Sequence, residues 1–162
     1  MVVVKWILIA ATAIGLAALL AGQAGLLRGR APTDLGVRDG RLHAPSPTPN
    51  SVSSQAALYP DHAQRDYANI ASLAVIGSGA ATIAKIKAIV EQMERTEVIR
   101  SEADYLYVQF TSRMMRYVDD AEFWFDPVAN AIQVRSASRL GSKDFGANRA
   151  HIEAVRGRLA AS

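Results

Sequence analysis

A chain of 162 residues can form one ordinary domain with an appendage, and its net charge of +3 is too small to drive nucleic-acid binding. No stripe of Lys and Arg interleaved with aromatics marks a nucleic-acid surface. The absence of cysteine excludes disulfides, thiolate zinc, iron–sulfur clusters and a cysteine nucleophile.

Trp6–Gly22 is an unbroken run of apolar and small residues in which Thr12 alone is mildly polar. A helix of about 20 such residues spans a bilayer core of roughly 30 Å. Residues 1–27 therefore read as a transmembrane signal anchor. The alternative is a cleaved secretory peptide, whose apolar region is shorter, about 7–15 residues, and ends at a small-x-small site. Ala21-Gly22-Gln23-Ala24 is a poor site of that kind. Lys5 precedes the run while Arg28 and Arg30 follow it, so counting positive charges leaves the orientation open. The expected location is single-pass in a membrane, taken as a bacterial inner membrane with the domain outside the cytoplasm.

Residues 28–60 form a proline-rich linker or arm holding Pro32, Pro45, Pro47, Pro49 and Pro60. Proline fixes φ, removes a donor and keeps its predecessor extended. One reading is a spacer that holds the domain off the membrane. The other is an ordered arm packed along the domain, with Asn50, Ser53 and Ser54 bonding the backbone.

Residues 61–162 read as the α+β domain. Over Gly79–Arg95, Ile83, Ile86, Val90 and Met93 recur at helical spacing, with Ser78 as N-cap and a Lys87–Glu91 pair on the solvated face. Glu97–Arg100 is a short strand. Leu106, Val108 and Phe110 alternate with Tyr105, Tyr107, Gln109 and Thr111; Phe123 and Phe125 alternate with Glu122, Trp124 and Asp126; Ile132 and Val134 alternate with Gln133 and Arg135. A four-residue loop at Pro127–Asn130 sets Asp126 opposite Ala131, Phe125 opposite Ile132, Phe123 opposite Val134 and Glu122 opposite Arg135. A slip of one residue would destroy every match. Phe145–Leu159 is a second helix with a stripe of Phe145, Asn148, Ile152, Val155 and Leu159, capped by Asp144. The expected architecture is an antiparallel sheet of three to four strands with two helices on one face.

VDDAEFWFD, RSASRLGSKDFGANR and the upstream GRLHAPSPTPNSVSSQ together resemble the family called "domain of unknown function 1499", from about Leu35 to Leu159. The resemblance implies that Asp119, Asp120, Glu122, Arg135, Ser136, Ser138, Arg139, Asp144, Asn148 and Arg149 fall in family motifs. It implies membrane attachment, which is frequent among members, and it supplies no catalytic role. The family's usual proline segment reads PCP…PNCVSS, and its two cysteines fall at Ser46 and Ser51 of this sequence. Their joint loss implies that they act as a pair, as a disulfide or a redox couple.

Asp119, Asp120 and Glu122 could form a metal or acid–base cluster, but strand neighbours alternate faces, so Asp119 points away from the other two. The structural alternative pairs Glu122 with Arg135 and Asp120 with Arg139. Ser136 and Ser138 lack a GxSxG elbow, and His43, His62 and His151 lack triad or metal spacing. His151 is expected to be solvated. Arg135, Arg139, Lys143 and Arg149 surround the start of the last helix. They make either an anion site or a lock on the turn through Asp144, Asp120 and carbonyls. The face of Tyr105, Tyr107, Gln109, Trp124 and Gln133 either binds a partner or lies under the proline-rich arm.

Three functions fit. The first is a membrane-anchored, non-catalytic domain binding a partner protein or an anionic ligand such as a lipid head group. The second is an enzyme of unrecognised type using Asp120 or Glu122 with Arg135 or Arg139. The third is a structural envelope protein. No cofactor, metal or nucleic acid is expected.

Overall fold

The fold is seen in a computed structural model that describes residues 2–162. It is α+β. Helix α1 (Val2–Gln23) precedes strand β1 (Ser51–Ser53), a 3-10 turn at Ala56–Leu58, the short helix α2 (Arg65–Ala68) and strand β2 (Leu73–Ala74). Helix α3 (Gly79–Glu91) is followed by β3 (Thr96–Ser101), β4 (Tyr105–Thr111), β5 (Val118–Asp126), β6 (Ala131–Ser138) and α4 (Ala147–Ala160). The sheet has six strands rather than three to four, in the order β1-β6-β5-β4-β3, with β2 also on β6, and every pairing is antiparallel. The additional strands, β1 and β2, are two or three residues long, too short for alternation to reveal them.

The β5–β6 register is the one the apolar matches dictate, from Asp126 opposite Ala131 to Glu122 opposite Arg135. Asp126 fixes the hairpin, because its Oδ1 accepts the Val128 and Ala129 N–H groups at 2.9 and 3.1 Å. One sheet face carries Leu106, Val108, Phe110, Ala121, Phe123, Ile132 and Val134 against Ile83, Ile86 and Val90 of α3 and Ile152, Val155 and Leu159 of α4. Ser78 caps α3 by accepting the Ala81 N–H at 3.2 Å, and Lys87 pairs with Glu91. Helix α3 stops at Glu91, short of Arg95; the Gln92 and Met93 N–H groups tighten onto Ile89 and Val90, and Arg95 takes φ 57°.

The opposite face is covered by the arm. Leu42, 1 % exposed, packs with Tyr105, Tyr107 and Trp124, flanked by Leu35 and Val37. Its N–H donates to Gln55 Oε1 at 2.8 Å and its carbonyl accepts from Tyr59 Oη–H at 2.9 Å. Asp39-Gly40, both at positive φ, turns the chain in a tight hairpin closed by reciprocal Arg38–Arg41 bonds. Asn50 donates to the Gly141 carbonyl at 2.7 Å, and Ser54 Oγ accepts the Val134 N–H at 2.8 Å. A free spacer is therefore ruled out for this stretch, because β1 is hydrogen-bonded into the sheet.

Helix α1 is exposed over nearly its whole length and is long and apolar enough to cross a membrane; a signal sequence meets the same criteria. Its last turn docks on the β4–β5 loop. Gln23 Nε2 donates to the Met114 carbonyl at 2.7 Å, and a Cβ on Gly22 would lie 2.7 Å from the Met115 carbonyl oxygen, so only glycine permits this approach.

Leu42→Ala removes a fully buried side chain from under the arm and should cost about 3 kcal/mol in unfolding free energy. A change within about 0.5 kcal/mol in denaturant titration would mean that the arm does not seal this face.

Candidate functional site

Strand β5 places carboxylates on both faces of the sheet, and each face builds its own polar cluster. Beneath the arm, Arg139 grips Asp120 through two bonds, Nε to Oδ2 and Nη2 to Oδ1, both 2.7 Å. Tyr107 Oη–H also donates to Asp120, and Gln109 donates to Tyr107 at 2.9 Å. The hydrogen bond to Asp120 holds the Arg139 guanidinium above its ordinary pKa, and burial raises the Tyr107 phenol. Glu122 is fully buried. Its Oε1 accepts from Tyr105 Oη–H and from the Gly36 N–H, each at 2.7 Å, while its Oε2 has no hydrogen bond and lies 3.7 Å from Arg135 Nη1. Burial first, and then the Glu122 charge, drive the Tyr105 phenol far upward. Arg135 Nε donates to the Ala44 carbonyl at 3.2 Å. Gly36 and Ala44 belong to the arm, so these charges fasten it down. The paired reading of Asp120 with Arg139 and Glu122 with Arg135 is the observed geometry.

On the helix face, Ser136, Ser138, Asp144 and Asn148 converge. Ser136 Oγ–H donates to Asn148 Oδ1 at 2.6 Å. Asn148 Nδ2 donates to Ser138 Oγ, to Asp144 Oδ2 (both 2.9 Å) and to the Asn50 carbonyl (3.0 Å). Asp144 is not the N-cap that the sequence suggested: Gly146 holds that position, α4 begins at Ala147 rather than Phe145, and Asp144 grips the helix start from two residues before the cap. Its two oxygens accept the Gly146 and Asn148 N–H groups at 3.1 Å, and Tyr67 Oη–H completes the set. Burial alone would raise the Asp144 carboxyl; the bonds from Tyr67, Asn148 and Gly146 outweigh it and hold the carboxyl low. This grip throws Phe145 off the stripe. It is 94 % exposed at φ 52°.

The helix start is accordingly not an open anion site. Asp144 takes the N–H groups an anion would use, Arg139 is held by Asp120, and Arg149 Nη2 donates to the Tyr67 and Asn69 carbonyls at 2.7 and 2.9 Å. Lys143 remains exposed.

Asp119 faces the helices, apart from Asp120 and Glu122, and is 8 % exposed. Burial raises its carboxyl, with the Asp144 and Asp120 charges adding and the Ser138 hydroxyl subtracting. His151, expected to be solvated, instead stacks on Phe110 with ring centroids 4.3 Å apart. Its Nδ1 is buried without a hydrogen bond, 3.5 Å from Asp119 Oδ2. Burial lowers its pKa to about 4, against a smaller upward pull from Asp144. A cavity of about 450 Å³ opens above Asp119, Ser138 and Asp144, with Tyr117, Leu140 and Phe145 among its walls. No group of three or more His, Asp and Glu side chains is arranged to hold a metal among the described residues.

Sequence reasoning missed His151, Tyr67 and the arm's anchoring carbonyls. The spacing of Asp144, Asn148 and His151 was the available signal: steps of four and three put all three on one side of a helix start.

A family described as "Protein of unknown function (DUF1499)" matches residues 41–159. No curated protein and no solved structure matches the chain.

Two outcomes test this geometry. The Ser46 N–H donates to Ser51 Oγ at 2.8 Å, so the two positions where the resemblance implies a cysteine pair touch. Ser46→Cys combined with Ser51→Cys should close a disulfide on oxidation, seen as a mass loss on the unreduced chain, and stabilise by about 2 kcal/mol for so short a loop. His151 binds its proton less readily folded than unfolded. Its contribution is therefore complete above pH 6.5 and is lost as pH falls towards about 4. His151→Gln should flatten the stability profile over that window by about 2 kcal/mol relative to the parent, allowing for the ring's partly solvated edge. Asp119 lies beside the ring and Asp144 pulls on its charge, so the difference between the two proteins reads the ring together with its coupling to them.

Proposed function

The chain belongs to the DUF1499 family, and from that premise we propose a membrane-anchored, non-catalytic domain whose helix-proximal end lies on a bilayer and binds anionic lipid head groups. The observation that carries this reading is Phe145. A non-glycine residue at positive φ is held at a cost, and here the strain buries nothing: the ring stands in solvent. Such a side chain is built to be buried by something else.

Its surroundings support the same reading. Met114, Tyr117 and Leu140 are 65 %, 41 % and 41 % exposed; Arg113 and Arg116 lie on the same loop as the first two, and Lys143 lines one cavity with Tyr117, Leu140 and Phe145. These residues come from the β4–β5 loop and the β6–α4 loop. Both loops lie at the end of the sheet where Gly22 and Gln23 of α1 dock. Apolar and aromatic side chains on two loops that also carry cations suit the interfacial layer, and each cation near an anionic surface adds about 1 kcal/mol. The carboxylates needed for the enzyme reading, Asp120 and Glu122, are engaged by Arg139, two tyrosines and the Gly36 N–H under the arm. That engagement supports a non-catalytic role.

In nanodiscs containing anionic lipid, the full chain should show slowed amide exchange at 112–117 and 139–146 relative to neutral lipid. Phe145→Gly should separate the two roles of this residue. Relief of positive φ should raise stability by about 1 kcal/mol while protection of the loops falls. Equal exchange in both lipids and in the variant would sink the bilayer reading.

A further inference from the structure

The cavity above Asp119 has a chemistry of its own. Asp119 is a buried carboxylate that no Lys or Arg pairs, whereas Asp120 and Glu122, its strand neighbours, each face an arginine. Its nearest basic atom, His151 Nδ1, is 3.5 Å away, makes no hydrogen bond and belongs to a ring that burial keeps neutral. A carboxylate largely removed from water is costly when the Ser138 hydroxyl is its one donor and no cation is beside it, and the cavity it lines is where further donors can arrive. Asp144, already satisfied by its own partners, adds a second negative charge to the same floor. Lys143 lines the cavity as well and is exposed, and Leu27, four residues past the end of α1, forms part of its wall beside Tyr117, Leu140 and Phe145.

We infer that this cavity binds the head group of an aminophospholipid, its primary ammonium on Asp119 and the Ser138 hydroxyl and its phosphate towards Lys143. The inference rests on the proposed seating of this end on a bilayer. With Leu27 just beyond α1, the cavity falls within the head-group layer, about 5–7 Å deep on each side of the hydrocarbon. A volume of about 450 Å³ lies in the range of small-molecule sites and accommodates a head group with the start of its chains. The charge order, carboxylates on the floor and a cation on the wall, matches an ammonium joined to a phosphate by a short link. A primary ammonium offers three N–H donors to the carboxylate, whereas a choline head offers none. Ethanolamine lipid should therefore be preferred over choline lipid.

The test uses the full chain in nanodiscs of dioleoyl phosphatidylethanolamine and phosphatidylcholine in equal amounts, with a fixed share of phosphatidylglycerol. Native mass spectrometry reads the lipid retained on release, and amide exchange of 112–117 and 139–146 reads the seating. The expected result is about tenfold enrichment of ethanolamine lipid, the size of one hydrogen bond to a charged group. The enrichment should fall to parity in Asp119→Asn with the loops still protected. Ala147→Leu, which narrows the cavity without altering a charge, should lower it as well and guards against a folding defect in the first variant. Equal retention of the two lipids by the parent, or enrichment undiminished in Asp119→Asn, overturns the site while protected loops leave the seating intact. Unprotected loops in every lipid overturn the seating and the site with it.

Discussion

A central strand with acids on both faces must find cover and counter-groups on each side. Strand β5 carries Asp119, Asp120, Glu122 and Asp126, all buried. Uncompensated, each would cost several kcal/mol. The helix layer covers one face and the arm the other, and the arm is held by the charges it hides: Glu122 takes the Gly36 N–H and Arg135 takes the Ala44 carbonyl. The proline-rich segment is thus the third layer of the domain. Its fixed φ angles reduce the entropy lost when it is laid down.

The two faces solve the same problem differently. Under the arm, full-strength partners neutralise the acids: a bidentate arginine, two tyrosines and a backbone amide. On the helix side, Asp144 is satisfied by N–H groups and Tyr67, and Asn148 links it to Ser136, Ser138 and the arm at Asn50. Asn148 is fully buried and occupies a position that periodicity assigns to an apolar residue. It ties the start of α4, the end of β6 and the arm at a single point. Asp119 stands apart, with the Ser138 hydroxyl and a neutral imidazole for neighbours and no cation.

Much of the fold was legible in the sequence because alternation and charge matching agreed. The β5–β6 register followed from apolar pairs and from Glu122 opposite Arg135, and the Ser78 cap from its place before a helical stripe. What could not be read were contacts made across long separations by backbone groups. Nothing local announces that the Ala44 carbonyl meets Arg135, or that Tyr67 meets Asp144. The Asp39-Gly40 hairpin was in principle visible, since that dipeptide favours two successive positive φ angles. Phe145 misled because three- and four-residue steps include it in the stripe, whereas the two-oxygen grip of Asp144 begins the helix beyond it. His151 misled because a polar residue on a helix is ordinarily solvated, and only the stacked Phe110 ring shows otherwise.

The contact of Gly22 with the β4–β5 loop has a mechanical consequence. A flexible joint would let a helix and its domain move independently, but here helix backbone rests on loop backbone, and Gln23 adds a hydrogen bond across the joint. These contacts couple the direction of the helix to that of the domain. A helix of 22 residues is about 33 Å long, slightly more than a typical hydrocarbon core of about 30 Å, and in the proposed membrane seating the excess would be relieved by leaning. In that seating a thinner bilayer would increase the lean, and the docked joint would carry the domain with it. The thickness of the surrounding lipid would then set which edge of the sheet is turned outward, without any change inside the domain itself.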